Sequence, residues 1–393
     1  MTAHIHPRAL QNSFGSHSGS VGDIGLVFDK TDTCSPLENW PDHAVDPDGK
    51  LYKNLRVHYL NLDRKHIDEI EKALSRFKEL GLDGDEISRE NFVLPAIGPW
   101  LERCAIELHR GHGVVIIRGL DSTMYSDEDN TMIQLGVGDY LGQKRGVQSS
   151  KGAMLSHIVQ KKSWTTPPER RHGIHTNVSL PFHTDMGTDI LALQVRQCAK
   201  VGGETCVSAV RAIYNDLMEN HPLVVQALAQ AEWPVRRLKL QVIDRLDYSS
   251  TKGFIRCPLL TYHRGNLMFS MDPARLGPRE GNRAPPLTGE QEAALMILQT
   301  VARKHQVKLD HRAGDLVFLN NYTVLHAREA YQDGESTSRH LVRLWLHNPT
   351  LGLSIPDGFH LIWDCTFGER SKKIINHSYP VIPMPLYIES KVG

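Results

Sequence analysis

Residues 315–326 read DLVFLNNYTVLH, and this stretch decides the class of fold. Two short apolar segments that favour strands are separated by a polar turn at Asn320 and Asn321. The second segment ends in His326, a polar side chain in otherwise apolar surroundings. One interpretation is a core histidine whose ring bonds to a backbone carbonyl, and the other is a metal ligand. Residues elsewhere in the chain are needed to choose between these two interpretations of His326.

Short apolar segments bounded by turn-forming residues dominate the chain from about residue 150 onwards. The predicted strands cover residues 114–117, 190–195, 267–271, 316–319 and 340–346. Helical periodicity predicts helices over residues 63–81, 100–110, 126–142 and 289–304, and another after Ser208. Many short strands with helical insertions, and no regular strand–helix alternation, indicate a mixed α+β fold. It is mainly β, and we expect an antiparallel sandwich or a small barrel.

Two regions of the chain differ in composition. Residues 1–50 are rich in Ser, Gly, His, Asp and Pro and have little periodicity, which predicts an extended or partly disordered N-terminal segment. Residues 51–393 contain no internal repeat and are predicted to form a single domain, with core strands roughly between residues 113 and 350.

The overall composition disfavours several classes of protein. The 45 Lys and Arg residues balance the 45 Asp and Glu residues, so nothing steers the chain towards nucleic acid or an acidic membrane surface. The six cysteines include no CxxC pair, and no apolar run has the length of a membrane-spanning helix. We expect a cytoplasmic protein, although the lack of acidic residues in the first twenty positions leaves an organelle-transit segment open. A homo-oligomer is also left open.

A His-x-Asp pair provides two more candidate metal ligands. The pattern occurs twice in a chain of 21 histidines. His66 and Asp68 lie in a predicted helix, where residues two apart point to nearly opposite sides. His183 and Asp185 lie beside strand-forming sequence, where residues two apart share a face. With His326 they would give two imidazoles and one carboxylate, the set that holds ferrous iron and leaves one face of the metal open.

The strand predicted at residues 339–346 carries two arginines on one face. Alternation places Arg339, Leu341, Arg343 and Trp345 on that face and His340 on the other. Two guanidinium groups on an apolar strand are costly unless they meet anions. Internal salt bridges are one explanation, and a bound dicarboxylate that receives bidentate hydrogen bonds from an arginine is the other.

These motifs together resemble a known family. Residues 180–195, Gly202-Gly203-Glu204-Thr205, residues 314–329 and residues 339–345 resemble, in order and spacing, the taurine dioxygenase and clavaminate synthase-like group of Fe(II)/2-oxoglutarate oxygenases. The region from Gly113 to the end of the following helix is similar to the N-terminal portion of that group, so the resemblance covers roughly residues 95–350. It implies a double-stranded β-helix core (jelly-roll, cupin-like) with helical cover and insertions.

The resemblance also implies a site and a reaction. It implies His183, Asp185 and His326 as ligands of Fe(II), with Thr205 and Arg339 holding the distal carboxylate of the co-substrate 2-oxoglutarate. Such an enzyme consumes dioxygen, releases succinate and carbon dioxide, and hydroxylates, desaturates or cyclises its prime substrate. Arg343 matches a second family arginine, which we assign to the substrate.

The positive charge of Arg343 predicts a small prime substrate that is anionic or amino-acid-like. The other candidate substrate contacts are Asn177, Phe182, Trp345, Gln148 and His157. Structural roles are the alternatives for these residues, for example in a turn or in core packing. Two other functions stay open: a non-catalytic cupin-like protein that binds a metal or a small acid, and a hydrolytic zinc enzyme. The zinc enzyme would leave Arg339 and Thr205 without a role.

Overall fold

The computed structural model describes residues 37, 39–237, 253–278 and 284–387. Most of the predicted N-terminal segment, residues 1–36 and residue 38, therefore lies outside the described residues. The helices of the described ranges are α1 (Arg64–Leu80), α2 (Gly98–Arg110), α3 (Asp127–Asp139), α4 (Val210–Asn220), α5 (Pro222–Ala229), α6 (Gly289–Lys304) and α7 (Asp357–Phe367).

Local sequence signals fix the ends of the predicted helices. The side chain of Asp63 accepts a hydrogen bond from the backbone of His66 at the start of α1, and Gly81 ends the helix in a left-handed conformation with φ of 65°. Thr288 and Gln291 form the corresponding capping box at the start of α6. The five helices predicted from periodicity are confirmed, whereas α5 and α7 were not predicted.

Within the described residues, the strands form two main sheets and three two-stranded ribbons. In chain order the strands are β1 (His58–Asn61), β2 (Val114–Arg118), β3 (Lys144–Arg145), β4 (Leu155–Val159), β5 (Leu180–His183), β6 (Ile190–Gln197), β7 (Val201–Gly202), β8 (Thr205–Ala209), β9 (Trp233–Arg236), β10 (Phe254–Cys257), β11 (Leu260–His263), β12 (Asn266–Phe269), β13 (Val307–Lys308), β14 (Leu316–Asn320), β15 (Val324–Arg328), β16 (Tyr331–Gln332) and β17 (His340–His347). The larger sheet has the order β1-β2-β14-β6-β17-β3, with β4 also paired to β17, and the smaller has the order β13-β8-β15-β5. The pairings between these strands are antiparallel except for β1 with β2, which is parallel.

A layer of apolar side chains from both sheets lies between them. It includes Val114, Leu193 and Trp345 of the larger sheet and Val207 and Val324 of the smaller one. Helices cover the outer faces, so that α1 and α2 pack with the larger sheet and α4, α5 and α6 with the smaller. The alternation predicted for β17 is confirmed, because Leu341 and Trp345 face the inner layer while Val342, Leu344 and Leu346 face outwards. Among the described helices, none has the length and apolar character needed to cross a membrane.

Candidate metal centre and co-substrate site

Adjacent strands of the smaller sheet bring the two predicted histidine ligands together. His183 at the end of β5 pairs directly with His326 on β15, and their ring centroids are 4.1 Å apart. The Nε2 atoms of His183 and His326 lie 3.9 Å and 3.8 Å from Oδ1 of Asp185. One ligand atom from each of the three residues lies within 4.8 Å of the other two. His326 therefore converges on one point with His183 and Asp185, although it lies far from them in sequence.

Asp185 reaches this point from a turn. Strand β5 ends at His183, so the alternation argument used to pair His183 with Asp185 does not describe how the carboxylate is placed. The fully buried amide of Asn321 holds the backbone instead. It accepts from the Asp185 N–H at 2.8 Å and donates to the carbonyls of Asp185 and Thr188 at 2.7 and 2.8 Å. The polar turn between β14 and β15 thus shapes the metal site.

The second oxygen of the Asp185 carboxylate is occupied by two donors from β17. Trp345 Nε1 donates to Oδ2 at 2.7 Å, and Arg343 Nη1 lies 3.0 Å from the same atom. Gln148 accepts from Arg343 Nε at 2.9 Å and holds the guanidinium in place. Arg343, Trp345 and Gln148 were predicted to contact the substrate. In the structure they lie around Asp185 and orient its carboxylate, so that Oδ1 faces the two histidines.

The donor set fits a divalent metal ion in charge and protonation. Burial alone would raise the pKa of Asp185, but the charge of Arg343 and the neighbouring imidazoles lower it to about 2, so the carboxylate is ionised. Burial and the adjacent His183 lower the pKa of His326 to about 3, so its ring is neutral. His183 contacts the Pro181 carbonyl through Nδ1 at 2.8 Å, which leaves the Nε2 lone pair for a metal.

Arg339 directly precedes β17 of the larger sheet, and Thr205 begins β8 of the smaller sheet. Arg339 is buried and donates from Nε to the Gly203 carbonyl at 2.9 Å. Its Nη1 has no hydrogen-bond partner among the described residues. Gly203 has φ of 77°, and a Cβ atom there would lie 2.8 Å from Arg339 Cδ, so the Gly-Gly turn permits this approach. Thr205 is buried at the start of β8, two residues along the chain from Val207 of the inner layer.

Arg328 is a second buried arginine near this site, and it was not predicted from the sequence. It lies two residues after His326 on β15 and pairs in register with Thr205. Burial and the nearby charge of Arg339 lower the pKa of Arg328 to about 9, which leaves it protonated at neutral pH. The alternation applied to β17 would have identified it, because residues two apart on a strand share a face. The role of Asn321 was also not predicted, because it is a turn residue between two strands.

The other three predicted substrate contacts are engaged in contacts within the protein. Phe182 packs on the outer face of the smaller sheet, in the helix-covered core, and Gln299 of α6 bonds to its backbone. His157 lies on the outer face of the larger sheet, where its Nδ1 is 2.8 Å from His340 Nε2 and its Nε2 is 2.7 Å from the Pro380 carbonyl. Asn177 exchanges two bonds with the backbone of Tyr331. Phe182 and His183 are neighbours in one strand, so their side chains point to opposite faces of the sheet. His157 faces the side of its sheet opposite to Arg343.

Comparison with known proteins establishes the family. The chain belongs to the taurine catabolism dioxygenase TauD, TfdA family, whose model matches residues 76–345. It is 33% identical over 318 residues to the taurine hydroxylase-like protein SAT17 of Stachybotrys chartarum, which covers 78% of this chain and 79% of that protein. It is 26% identical over 301 residues to the FR-33289 synthase of Streptomyces rubellomurinus, covering 73% of this chain and 84% of the other.

Solved structures share the fold. The asparagine oxygenase in complex with Fe(II), 2S,3S-3-hydroxyasparagine and succinate superposes with a TM-score of 0.56 at 17% identity, covering 75% of this chain and 98% of that chain. The non-heme iron oxygenase OrfP in complex with Fe and alpha-ketoglutaric acid gives a TM-score of 0.53 at 16% identity, covering 74% and 94%. At this level of identity the likeness establishes the architecture alone.

Proposed function

We propose that this protein is a non-haem Fe(II)- and 2-oxoglutarate-dependent dioxygenase that oxidises a small organic acid or an amino-acid-like substrate. The observation that carries the proposal is the convergence of His183, Asp185 and His326, whose ligand atoms lie within 4.8 Å of one another. Two imidazoles and one carboxylate are the ligand set of non-haem Fe(II) oxygenases. Membership of the dioxygenase family supports the same reaction class.

In this proposal the protein positions the reactants. His183 Nε2, His326 Nε2 and Asp185 Oδ1 would hold the iron, and Trp345 and Arg343 keep the carboxylate turned towards it through Oδ2. When bound, iron and 2-oxoglutarate supply the chemistry: dioxygen oxidises a substrate C–H bond while 2-oxoglutarate becomes succinate and carbon dioxide.

The buried guanidinium of Arg339, directly before β17, is suited to bind the co-substrate anion. Arg339 would bind its distal carboxylate, with Thr205 as a hydroxyl donor, because its buried Nη1 has no partner among the described residues. The apolar layer of both sheets surrounds this position and would exclude water. The two main sheets would then correspond to the double-stranded β-helix of the family, within a single domain over residues 51–393.

The prime substrate is the finer part of the proposal. Oxygenases of the same fold bind a hydroxyasparagine and a hydroxyarginine in their solved structures, which supports an amino-acid-like substrate here. Arg343 is engaged by Asp185 and Gln148 and Asn177 by Tyr331, so these residues would shape the pocket more than they recognise substrate charge. We also propose a cytoplasmic location.

The test is succinate formation across a panel of substrates. Wild-type protein is incubated in air with Fe(II), 2-oxoglutarate and each of the common amino acids, taurine and simple carboxylic acids, and succinate is quantified. We expect one substrate class to stimulate succinate release, His183→Ala to abolish it, and His157→Ala to retain it as the matched control. Binding of metal and small acid without succinate for any member of the panel would favour the non-catalytic alternative.

A further inference from the structure

Two buried arginines near the metal centre have no anionic partner within the part of the chain that the structure describes. Arg328 and Arg339 are only 5% and 3% exposed. Nε and Nη1 of Arg328 and Nη1 of Arg339 are buried without a hydrogen-bond partner, and within the described ranges no carboxylate lies within ion-pair distance of either guanidinium. Two buried guanidinium groups that have no ion pair within the described residues are unfavourable, so the arrangement favours binding of an anion.

Arg328 points towards the same side as the iron ligands. On β15 it shares a face with His326, and its register partner on β8 is Thr205. The guanidinium groups of Arg328 and Arg339 both lie against the ring of Tyr331, at 5.3 Å and 5.5 Å from its centroid. Arg328 therefore has Thr205 beside it on the neighbouring strand and shares the ring of Tyr331 with Arg339.

The remaining nitrogen of Arg328 reaches a loop. Nη2 donates to the carbonyl of Gly173 at 3.2 Å and to the carbonyl of Val178. This segment, residues 173–178, leads directly into β5 and its metal ligand His183. It is also tied to Tyr331 by two bonds through Asn177. The guanidinium of Arg328 therefore contacts the loop through Nη2, while its Nε and Nη1 have no hydrogen-bond partner among the described residues.

We infer that Arg328 is a second guanidinium for the distal carboxylate of 2-oxoglutarate, and that it couples occupancy of that site to the conformation of the loop at residues 173–178. The inference rests on the proposed function. Nη2 holds the loop carbonyls while Nη1 and Nε bind the carboxylate, so one planar group fixes the loop relative to the anion. Arg328 is a positioning residue for the loop as well as a co-substrate ligand.

The test compares two 2-oxo acids by calorimetry on full-length protein loaded with Mn(II) in place of Fe(II). Pyruvate shares the 2-oxo acid group of 2-oxoglutarate but lacks the distal carboxylate. Arg328→Met should weaken 2-oxoglutarate binding about tenfold to a hundredfold, the range for losing a hydrogen bond to a charged group. Pyruvate binding should change by less than about threefold. Arg328→Lys, which keeps the charge and loses the fork, should fall between the two.

Hydrogen–deuterium exchange of peptides covering residues 173–178 supplies the second readout. In wild type, 2-oxoglutarate should slow exchange there by about fivefold or more, and in Arg328→Met this effect should disappear. Arg196→Met is the matched control, because Arg196 is similarly buried but bonds to Gln194 and Thr131 on the outer face of β6.

Three results would overturn the inference: unchanged 2-oxoglutarate affinity in Arg328→Met, an equal loss for both acids, or loop protection that persists in the variant. Wild-type protein that binds no 2-oxoglutarate would instead contradict the proposed function itself, and this result is recognised before any variant is made.

Discussion

Replacing Trp345 by phenylalanine removes one hydrogen bond to the proposed iron ligand and leaves an aromatic ring in the core. Trp345 Nε1 donates to Oδ2 of Asp185 at 2.7 Å, on the side of the carboxylate that faces away from the two histidines. Arg343 still contacts the same oxygen at 3.0 Å in the variant, so the charge of Asp185 stays compensated. The expected defect is therefore in orientation of the ligand, with the carboxylate still ionised.

The magnitude follows from the role of the bond. Partners that orient a metal ligand typically contribute about tenfold to a hundredfold in metal affinity, equivalent to about 1.4–2.8 kcal/mol. We expect Trp345→Phe to bind Fe(II) weaker by a factor in this range. The assay is an anaerobic competition titration of Fe(II) against a chelator of known affinity, which does not depend on turnover.

Trp363→Phe is the matched control. Trp363 Nε1 donates to Oδ1 of Asp189 at 2.9 Å, so this variant loses the same type of bond to another buried carboxylate that is not a proposed ligand. Both variants should lose stability, but only Trp345→Phe should lose iron affinity. Equal Fe(II) affinity of wild type and Trp345→Phe, or equal losses in the two variants, would refute the reasoning.

Three further predictions concern the co-substrate, the turn and acid stability. Arg339→Met should weaken 2-oxoglutarate binding by about tenfold or more, because Nη1 of Arg339, which has no partner among the described residues, is proposed to bind the anion. The affinity for Mn(II), measured by calorimetry, should stay within about twofold, because Arg339 is not a proposed metal ligand. An unchanged 2-oxoglutarate affinity would remove that assignment. Asn321→Ala should lower the free energy of unfolding, measured in urea, by about 3 kcal/mol, because it leaves buried backbone groups of Asp185 unpaired. A loss below about 1 kcal/mol would contradict this account. Burial lowers the pKa of His157 to about 4 from its unfolded value near 6.5, so its contribution to stability is present above about pH 6.5 and is lost as the pH falls towards 4. His157→Gln should therefore reduce the loss of unfolding free energy between about pH 7 and about pH 5 by about 2 kcal/mol, whereas the exposed His58→Gln should not, and parallel pH profiles for wild type and His157→Gln would contradict the prediction.

Periodicity predicted the elements that local sequence determines. The caps at Asp63 and Gly81 limit α1, and alternation along β17 separates Arg343 and Trp345 from the outward-facing Val342. The helices that were not predicted are of a different kind. α5 is a short, apolar helix whose core residues Val224, Val225 and Leu228 are fully buried, so it lacks the polar face from which periodicity is recognised.

The site could be predicted in its members but only partly in its contacts. Alternation states which face a side chain takes, whereas the partner it meets there depends on the fold. Arg343 was expected to meet a substrate anion, and its partner is Asp185, contributed by a turn about 160 residues earlier in the chain. Phe182 is the neighbour of His183 in β5, and neighbours in a strand point to opposite faces. His157 lies on the outward face of β4.

The central claim is that one iron ion is held by His183, Asp185 and His326. Its most direct test is anomalous diffraction at the iron absorption edge from crystals grown anaerobically with Fe(II) and 2-oxoglutarate. We expect a single strong anomalous peak bounded by His183 Nε2, His326 Nε2 and Asp185 Oδ1, the three atoms that already converge. A peak at another position, or no peak between these atoms in crystals that contain iron, would contradict the account.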